Sequence, residues 1–272
     1  GSTNDSTPLI QGNISFTLAA GDKVIVYRDG VAIGEATVNG TEWTFTDTLA
    51  SNGNYTYTAL VENSTGGQEA LSQPFVITFD TVAPTVGTTI TSVNDDEAPV
   101  VGAVANNGYT NDTTPEIQGT ITSTLGLGEV VAVYRDGVKV GEATVSGTTW
   151  TFTDAGLSDG DHAYTARVED SAGNQGDDSN EYNIVVDTVS PQQSTVITAI
   201  VDDVAPITGD LVDGSITNDV APLIEGTISF ALEAGEEVII LRNDVEIGTA
   251  TMTDATHWEF ADSGLVDGTA YT

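Results

Sequence analysis

The stretch VAVYRDGVKVGEATV, residues 131–145, alternates apolar and polar residues on both sides of an Asp-Gly pair. Alternation with a period of two is typical of β-strands that bury one face, and the apolar spacing of an amphipathic helix is missing. The pair Asp136-Gly137 is a favoured tight-turn sequence between antiparallel strands. The stretch therefore predicts a β-hairpin.

The hairpin belongs to a unit that occurs three times. VIVYRDG at 24–30 returns as VAVYRDG at 131–137 and, in weaker form, as IILRNDV at 239–245. A second set of strings starts at positions 3, 110 and 217, a spacing of 107 residues: TNDSTPLIQGNI, TNDTTPEIQGTI and TNDVAPLIEGTI. Self-similarity at a fixed period indicates tandem structural units, so the chain is predicted to contain three copies of one module.

Each copy consists of short segments rich in Val, Ile, Thr, Tyr and Trp, separated by clusters of Gly, Asn and Asp. Several such strands in about a hundred residues favour an all-β fold of tandem immunoglobulin-like β-sandwich domains joined end to end. Three domains are predicted. Residues 1–80 form a partial repeat without strand A, residues 81–187 a complete repeat, and residues 188–272 a partial repeat that lacks the end of strand F and strand G.

The core of the complete repeat follows from the same alternation. Trp150 and Phe152 share one face of a strand, and Val133 and Tyr164 belong to the buried faces of two others. Leu157 and Tyr164 also resemble the E–F corner of a sandwich, in which a Tyr hydroxyl bonds the backbone upstream. We expect a sandwich of seven or more strands in which Trp150 is shielded from solvent.

The charge of the chain excludes several classes of partner. It has 41 acidic and 6 basic residues, for a formal net charge of -35. Nucleic acid and anionic membranes are bound mainly through Lys and Arg, so neither is expected as a partner, and no apolar run is long enough for membrane insertion. So large a charge opposes compaction unless cations neutralise part of it, which indicates a divalent ion or salty surroundings, with a merely soluble acidic surface as the alternative. Cysteine is absent, so disulfides cannot stabilise the chain.

Strand polarity gathers acidic loops at one end of the complete repeat. The A–B, C–D and E–F connections share the end at which strand G leaves, called the lower end below. There the sequence places Asp95, Asp96, Asn111, Asp112 and Asp187, and no Lys or Arg falls in these loops. Calcium takes oxygen ligands of this kind, whereas zinc and copper favour His and Cys. A calcium site is predicted, with turn formation by Asp and Asn as the alternative interpretation.

Four other aspartates leave both interpretations open. Asp154, Asp159 and Asp161 lie between strands E and F, and Asp170 lies at the opposite end, in the F–G loop. Asp170 either completes a site with the linker residue Asp80 or forms a turn.

The string Gly156-Leu157-Ser158-Asp159-Gly160 matches the G-x-S-x-G of a nucleophile elbow. That motif needs a strand before it and a helix after it, whereas here it falls between two predicted strands. No convergent nucleophile, base and oxyanion set is present, so we predict that the chain is not an enzyme.

Several strings together resemble a known family: the linkers FDTVAP at 79–84 and VDTVSP at 186–191, the Asp pair after strand A, TND before a proline, YRDG, W-x-F and DSAGN. The combination is similar to the tandem bacterial immunoglobulin-like repeats of giant secreted adhesins, which include biofilm-associated and RTX-type adhesins of Gram-negative bacteria. The resemblance covers essentially the whole chain. It implies a calcium-stiffened extender, exported by type I secretion, that stays at the bacterial cell surface and functions in adhesion or biofilm formation.

The resemblance also implies which partners and ligands to expect. The partners are neighbouring repeats of the same chain and, through a distal tip, a host or abiotic surface. Calcium would bind at or near domain junctions through linker and loop aspartates. Together with Asn111 from the residue pattern, the predicted Ca²⁺ ligands are Asp80, Asp95, Asp96, Asn111, Asp112, Asp187, Asp202, Asp203 and Asp219.

Two other functions stay open at this point. The repeats could bind a glycan or protein ligand through their loops, as immunoglobulin-like modules sometimes do. They could also be accessory modules of a large secreted enzyme.

Overall fold

The computed structural model describes residues 1–206 and 208–272, and every regular element in them is a β-strand. This confirms the predicted fold class of tandem immunoglobulin-like β-sandwich domains. The chain forms two compact units, Gly1–Thr188 and Val189–Thr272. The larger unit contains the predicted domains 1–80 and 81–187, whose boundaries stay a prediction. No helix in the described residues is long and apolar enough to cross a membrane.

The first repeat packs a five-stranded sheet on a three-stranded one. Its strands are β1 (Ser2–Thr3), β2 (Leu9–Asn13), β3 (Lys23–Arg28), β4 (Val31–Glu35), β5 (Thr37–Asn39), β6 (Glu42–Thr46), β7 (Gly53–Glu62) and β8 (Phe75–Phe79). The larger sheet has the order β1-β8-β7-β3-β4 and the smaller one the order β2-β6-β5. Strand β1 runs parallel to β8, and the other pairings are antiparallel.

The middle repeat is a sandwich of two five-stranded sheets. Its strands are β9 (Thr88–Asp95), β10 (Gly102–Val104), β11 (Gly108–Thr110), β12 (Glu116–Ile121), β13 (Val130–Arg135), β14 (Val138–Glu142), β15 (Thr144–Ser146), β16 (Thr149–Thr153), β17 (Gly160–Glu169) and β18 (Tyr182–Val186). The sheets have the orders β10-β9-β12-β16-β15 and β11-β18-β17-β13-β14. Strands β9, β12, β13, β14, β16, β17 and β18 are the predicted strands A to G in the order A, B, C, D, E, F and G.

The third repeat, in the smaller unit, has one complete sheet and one short one. Its strands are β19 (Thr195–Asp202), β20 (Gly209–Asp210), β21 (Leu223–Ile228), β22 (Ile239–Arg242), β23 (Val245–Thr249), β24 (Thr251–Met252) and β25 (His257–Ala261). The five-stranded sheet has the order β20-β19-β21-β25-β24, and β22 and β23 form the hairpin that corresponds to β13 and β14.

The core of the middle repeat contains the four predicted residues. Trp150, Val133 and Tyr164 are almost completely buried, and Phe152 packs on the same cluster while partly buried. The first and third repeats have their own clusters around Trp43 and Trp258.

Each tryptophan packs closely against a glycine of the neighbouring strand. A Cβ atom at Gly119 would come within 2.2 Å of the Trp150 ring, and one at Gly226 within 2.0 Å of the ring of Trp258. The phenylalanine two positions on repeats the arrangement, since a Cβ at Gly141 would lie 2.5 Å from Phe152. The W-x-F string and the Gln-Gly or Glu-Gly string therefore recur together, because the tryptophan of the first packs on the glycine of the second.

The short strand β11 brings the TND string to the lower end. It pairs in parallel with β18, with Thr110 beside Val186, so that Asn111 and Asp112 follow at the level where β18 ends. The Asp187 amide donates a hydrogen bond to the Thr110 carbonyl over 2.9 Å, which continues the ladder by one residue. Parallel pairing therefore places the acidic residues of two distant chain segments side by side.

Candidate functional site

One threonine hydroxyl links two buried aspartates at the lower end of the middle repeat, through the carboxylate of one and the backbone N–H of the other. Asp95, 7% exposed, ends β9, and Asp112, 2% exposed, follows β11. The Thr110 hydroxyl donates to Asp95 Oδ2 over 2.6 Å and accepts the Asp112 backbone N–H over 3.0 Å. Strand polarity therefore predicted the meeting of these two aspartates, but their first partners are neutral donors.

The remaining oxygen atoms of the two aspartates also accept hydrogen bonds. Asp95 Oδ1 accepts the Glu97 N–H at 2.8 Å, and Asp112 Oδ1 accepts the Thr114 N–H at 2.7 Å. The Asp112 Oδ2 atom has a longer contact of 3.3 Å with the Asp96 N–H. These bonds are the turn-forming interactions expected of Asp, so turn chemistry is present whether or not an ion binds.

The other predicted ligands of this repeat surround the pair. Asp96 is exposed and takes part through its backbone. The Asn111 amide donates to the Ala98 carbonyl over 2.8 Å and closes the loop after β9. The exposed Asp187 lies one residue beyond β18, tied by its N–H to Thr110.

The third repeat reproduces the network. Asp202 and Asp219 are buried, and the Thr217 hydroxyl donates to Asp202 Oδ2 over 2.6 Å and accepts the Asp219 N–H over 2.9 Å. Asn218 donates to the Ala205 carbonyl, and the Asp203 N–H approaches Asp219 Oδ2 at 3.5 Å. In the first repeat the corresponding aspartate, Asp5, is exposed and forms the same turn, with its carboxylate accepting the Thr7 N–H over 2.7 Å.

Asp154, by contrast, has a cation of its own. Arg135 Nη1 lies 2.6 Å from Asp154 Oδ2, and the Tyr164 hydroxyl donates to the same oxygen over 2.8 Å. The expectation that Tyr164 bonds the backbone upstream is therefore wrong, because a buried carboxylate lies within reach of its hydroxyl. Burial raises the pKa of Tyr164, and its hydrogen bond to the negatively charged Asp154 raises it further.

This arginine–aspartate pair occurs in all three repeats. Arg28 holds Asp47, to which Tyr57 also donates, and Arg242 holds Asp262. The sequence held a signal for the pairs that was missed: each YRDG-type arginine precedes an aspartate after the W-x-F strand by 19, 19 and 20 residues. The loops themselves lack Lys and Arg, but the arginine of the C–D hairpin reaches into them.

All six basic residues of the chain are paired with carboxylates. Besides the three arginines of these pairs, Lys23 contacts Glu62, and Lys139 and Arg167 both contact Glu169. The chain has 41 acidic residues, so its own cations are consumed long before its negative charge is balanced. The remaining charge must be screened by ions from solution.

Asp80 lies apart from these clusters, at the junction of the first two repeats. Its Oδ1 atom accepts the Asn52 side-chain amide at 3.1 Å and the Val82 N–H at 3.0 Å. The Asn174 side chain donates to the Asp80 carbonyl over 2.8 Å and to Asp170 Oδ2 over 2.9 Å. The structure therefore brings Asp170 to the linker of the preceding repeat through Asn174.

The donors at the lower end suit calcium in chemical type, since all are oxygen atoms of Asp, Asn and backbone. Across residues 1–206 and 208–272, however, no group of three Asp, Glu, His or Cys side chains is arranged to hold a metal ion. The buried pair by itself is a hydrogen-bonded network, and calcium binding there stays a prediction.

The G-x-S-x-G string forms a loop between β16 and β17, without a helix after it. Ser158 is exposed, and its carbonyl lies 2.8 Å from His162 Nε2, so the nearest histidine contacts the serine backbone. The surroundings of a nucleophile elbow are not formed at this string.

Comparison with known proteins supports immunoglobulin-like repeats. Residues 88–188, which cover the middle repeat, match the bacterial Ig-like domain family. No curated protein matches the chain.

Three solved structures align with this chain at low similarity. The fibronectin(III)-like modules of Clostridium thermocellum CbhA give a TM-score of 0.45 at 16% identity, over 68% of this chain and 87% of that chain. Bacteroides ovatus SGBP-B, in complex with a mixed-linkage heptasaccharide, gives 0.23 at 15% identity, over 98% and 57%. Sidekick-1 immunoglobulin domains 1–4 give 0.25 at 11% identity, over 96% and 63%. TM-scores this low do not support an inference about this chain.

Proposed function

We propose that this chain is an extender segment of a large cell-surface adhesin, stiffened by calcium, that functions in adhesion or biofilm formation. The observation that supports the proposal is the tandem repetition of one β-sandwich unit, with the same threonine-linked aspartate pair at the lower end of the middle and third repeats. A catalytic or ligand-binding chain needs its site once, whereas a spacer needs the same joint at every repeat.

Calcium is proposed as the ion that neutralises the lower end. The residues that would hold it are Asp95, Asp112 and the adjacent Asp96, Asn111 and Asp187 in the middle repeat. Their counterparts in the third repeat are Asp202, Asp203 and Asp219, and Asp80 would serve the first junction. The ion would supply positive charge where the chain provides only neutral donors.

A secreted origin, with export by type I secretion, agrees with two properties of the chain. It has no cysteine and therefore needs a different kind of cross-link outside the cell, for which a divalent ion is suited. Its excess of acidic residues would be balanced by the calcium and salt of an extracellular medium. In this role its partners would be neighbouring repeats, and the adhesive tip would lie elsewhere in the parent protein.

The test is to compare the chain in millimolar calcium and in excess chelator. Binding to the folded state alone stabilises it by about 2.7 kcal/mol when the free ion is a hundred times the dissociation constant. We therefore expect chelator to lower the melting temperature and to shorten the particle seen by small-angle scattering. Asp187→Ala should reproduce much of the shortening without unfolding the sandwich.

Asp112→Asn is the matched test of the site, with Asp5→Asn as its control. Asp5 is the exposed counterpart of Asp112 in the first repeat and makes the same turn. In the Asp112 variant the melting of the middle repeat, followed by the Trp150 indole resonance, should no longer respond to calcium, while in the Asp5 variant it should still respond. Melting and particle length that do not differ between calcium and chelator would show that the acidic cluster is only a solvated surface. Specific binding of a glycan by the isolated chain would favour the ligand-binding alternative instead.

A further inference from the structure

The linker between the first and middle repeats is held by a set of direct hydrogen bonds between protein groups. The Asp80 N–H donates to the Thr3 carbonyl over 3.0 Å, and the Asp80 carboxylate caps the Val82 N–H. Asn52 Oδ1 accepts both the N–H and the hydroxyl of Thr81, at 3.2 and 3.0 Å. These bonds fix Asp80 and Thr81, the first residues of the linker, to the first repeat.

The Asp80 carbonyl, in contrast, accepts a hydrogen bond from the middle repeat. Asn174 in the loop between β17 and β18 donates its side-chain N–H to this carbonyl over 2.8 Å. Asn174 is only 9% exposed, and its amide also donates to Asp170 Oδ2 over 2.9 Å, which fixes its orientation. A buried amide that spans two domains is costly to leave unpaired, so it favours one relative position of them.

The same loop makes two other approaches to the first repeat. The Ser171 and Ser2 hydroxyl oxygens lie 3.3 Å apart. Gly173, with a φ of +89°, passes so near the first repeat that a Cβ there would lie 3.7 Å from the Asn4 amide nitrogen. The loop thus lies against both the linker and the TND string of the preceding repeat.

The corresponding loop of the first repeat has the same backbone but lacks the amide. Asn63 Oδ1 accepts the N–H groups of Thr65 and Gly67, as Asp170 Oδ1 accepts those of Ala172 and Asn174. Gly67 takes the place of Asn174. The turn therefore forms without Asn174, and the asparagine side chain is free to serve the junction.

We propose that Asn174 is an interdomain latch that fixes the middle repeat on the first repeat without a bound ion. Its partner is the carbonyl of the linker aspartate of the preceding repeat. Asparagine or glycine at this loop position then distinguishes latched from unlatched junctions in an array of such repeats. The latch does not depend on a bound ion, because it joins the Asn174 amide to the backbone carbonyl of Asp80 and leaves the Asp80 carboxylate, the group proposed to hold calcium, outside the contact.

The experiment measures the distance between the two repeats by pulsed electron spin resonance. Thr44 and Thr151 are exposed and lie at equivalent positions of β6 and β16, and the chain has no cysteine, so T44C and T151C take spin labels selectively. The parent should give one narrow distance distribution that is the same in calcium and in chelator. Asn174→Gly, which installs the residue of the first repeat, should raise the unlatched population about fivefold, the change that one net hydrogen bond supplies.

Gln175→Ala is the matched control, since it removes a neighbouring amide that bonds Glu169 within the middle repeat. It should leave the distribution narrow. Asn174→Asp is a second test of the latch, because it keeps the size of the side chain and removes the N–H donor. It should broaden the distance distribution while the Trp150 indole resonance, which reports the fold of the middle repeat, stays unchanged. A narrow distribution in both Asn174 variants would overturn the latch, and so would a parent whose distribution broadens in chelator. If calcium has no effect on the melting of the parent while its distance distribution stays narrow, the proposed function is contradicted and the latch is not.

Discussion

The lower end of the middle repeat holds two buried acidic groups that are neutralised in different ways. Asp154 is held by Arg135 and by Tyr164, at 2.6 and 2.8 Å. Asp95 and Asp112 share the Thr110 hydroxyl and backbone N–H groups and have no cation from the chain among these partners. Three carboxylates of similar burial thus differ in whether the fold supplies the opposite charge, since only Asp154 has an arginine beside it. We therefore expect sensitivity to ions to be concentrated at the threonine-linked pair.

The largest effect is expected from Arg135→Ala, which would remove one side of this comparison. It leaves Asp154 buried without its cation, and breaking a buried pair in this way costs about 3 kcal/mol. The free energy of unfolding of the middle repeat, followed by the indole resonance of Trp150, measures the loss. Lys139→Ala, at a more exposed pair with Glu142 and Glu169, should cost less than about 1 kcal/mol. Equal losses in the two variants would show that the burial of Asp154 has no energetic weight.

A smaller loss is expected from Thr110→Val, which breaks the other side. The variant keeps the shape of the side chain and removes the hydroxyl between Asp95 and Asp112, at a cost of about 2 kcal/mol for the unsatisfied buried acceptor. Thr114→Val is the control, because Thr114 is exposed and its hydroxyl has only a 3.1 Å contact with Asp112. Chemical unfolding of both variants in chelator provides the measurement. If Thr110→Val is as stable as Thr114→Val, the shared hydroxyl does not hold the pair together.

The smallest of the three effects is the pH dependence of stability that comes from Tyr164, which belongs to the Asp154 group and not to the threonine-linked pair. The pKa of Tyr164 is raised by burial and by Asp154, so the folded state keeps its phenol proton where the unfolded state, with a pKa of about 10, loses it. The stability is full below the unfolded pKa and falls as pH rises above about 10, by about 1.4 kcal/mol per pH unit. Unfolding of the middle repeat between pH 9 and 11 measures this slope. Tyr164→Phe should reduce the slope, whereas Thr110→Val should leave it unchanged, since Thr110 does not titrate.

The sequence predicted the features that depend on spacing. The alternation of residues 131–145 gave the hairpin β13–β14, and the repeat gave the sandwich. The buried positions of Trp150 and Tyr164 followed from the same pattern. The meeting of Asp95 with Asp112 also followed, because strand polarity alone decides which loops share an end.

The features that the sequence did not predict depend on where a side chain points. Arg135 ends β13 just before the C–D turn, yet its guanidinium reaches Asp154 in the E–F loop, so counting charges loop by loop missed the pair. Asn174 entered the sequence analysis only as the last residue of the DSAGN string, and the placement of the preceding repeat gives its amide the Asp80 carbonyl as a partner. The sequence pattern indicates the register of each strand and which of its faces is buried. The contacts of Arg135 and Asn174 depend in addition on side-chain rotamers and on the position of a neighbouring domain.

The parallel pairing of β11 with β18 has a mechanical consequence. These strands lie near the start and at the end of the middle repeat and run in the same direction, in register over three residue pairs from Gly108–Ile184 to Thr110–Val186. Tension along the chain would pull them past each other lengthwise, so the hydrogen bonds between them would be loaded in shear and would have to break together. An antiparallel pair of terminal strands would instead unzip one bond at a time. The strand that positions the TND string is therefore also the place where a pulled repeat would resist force.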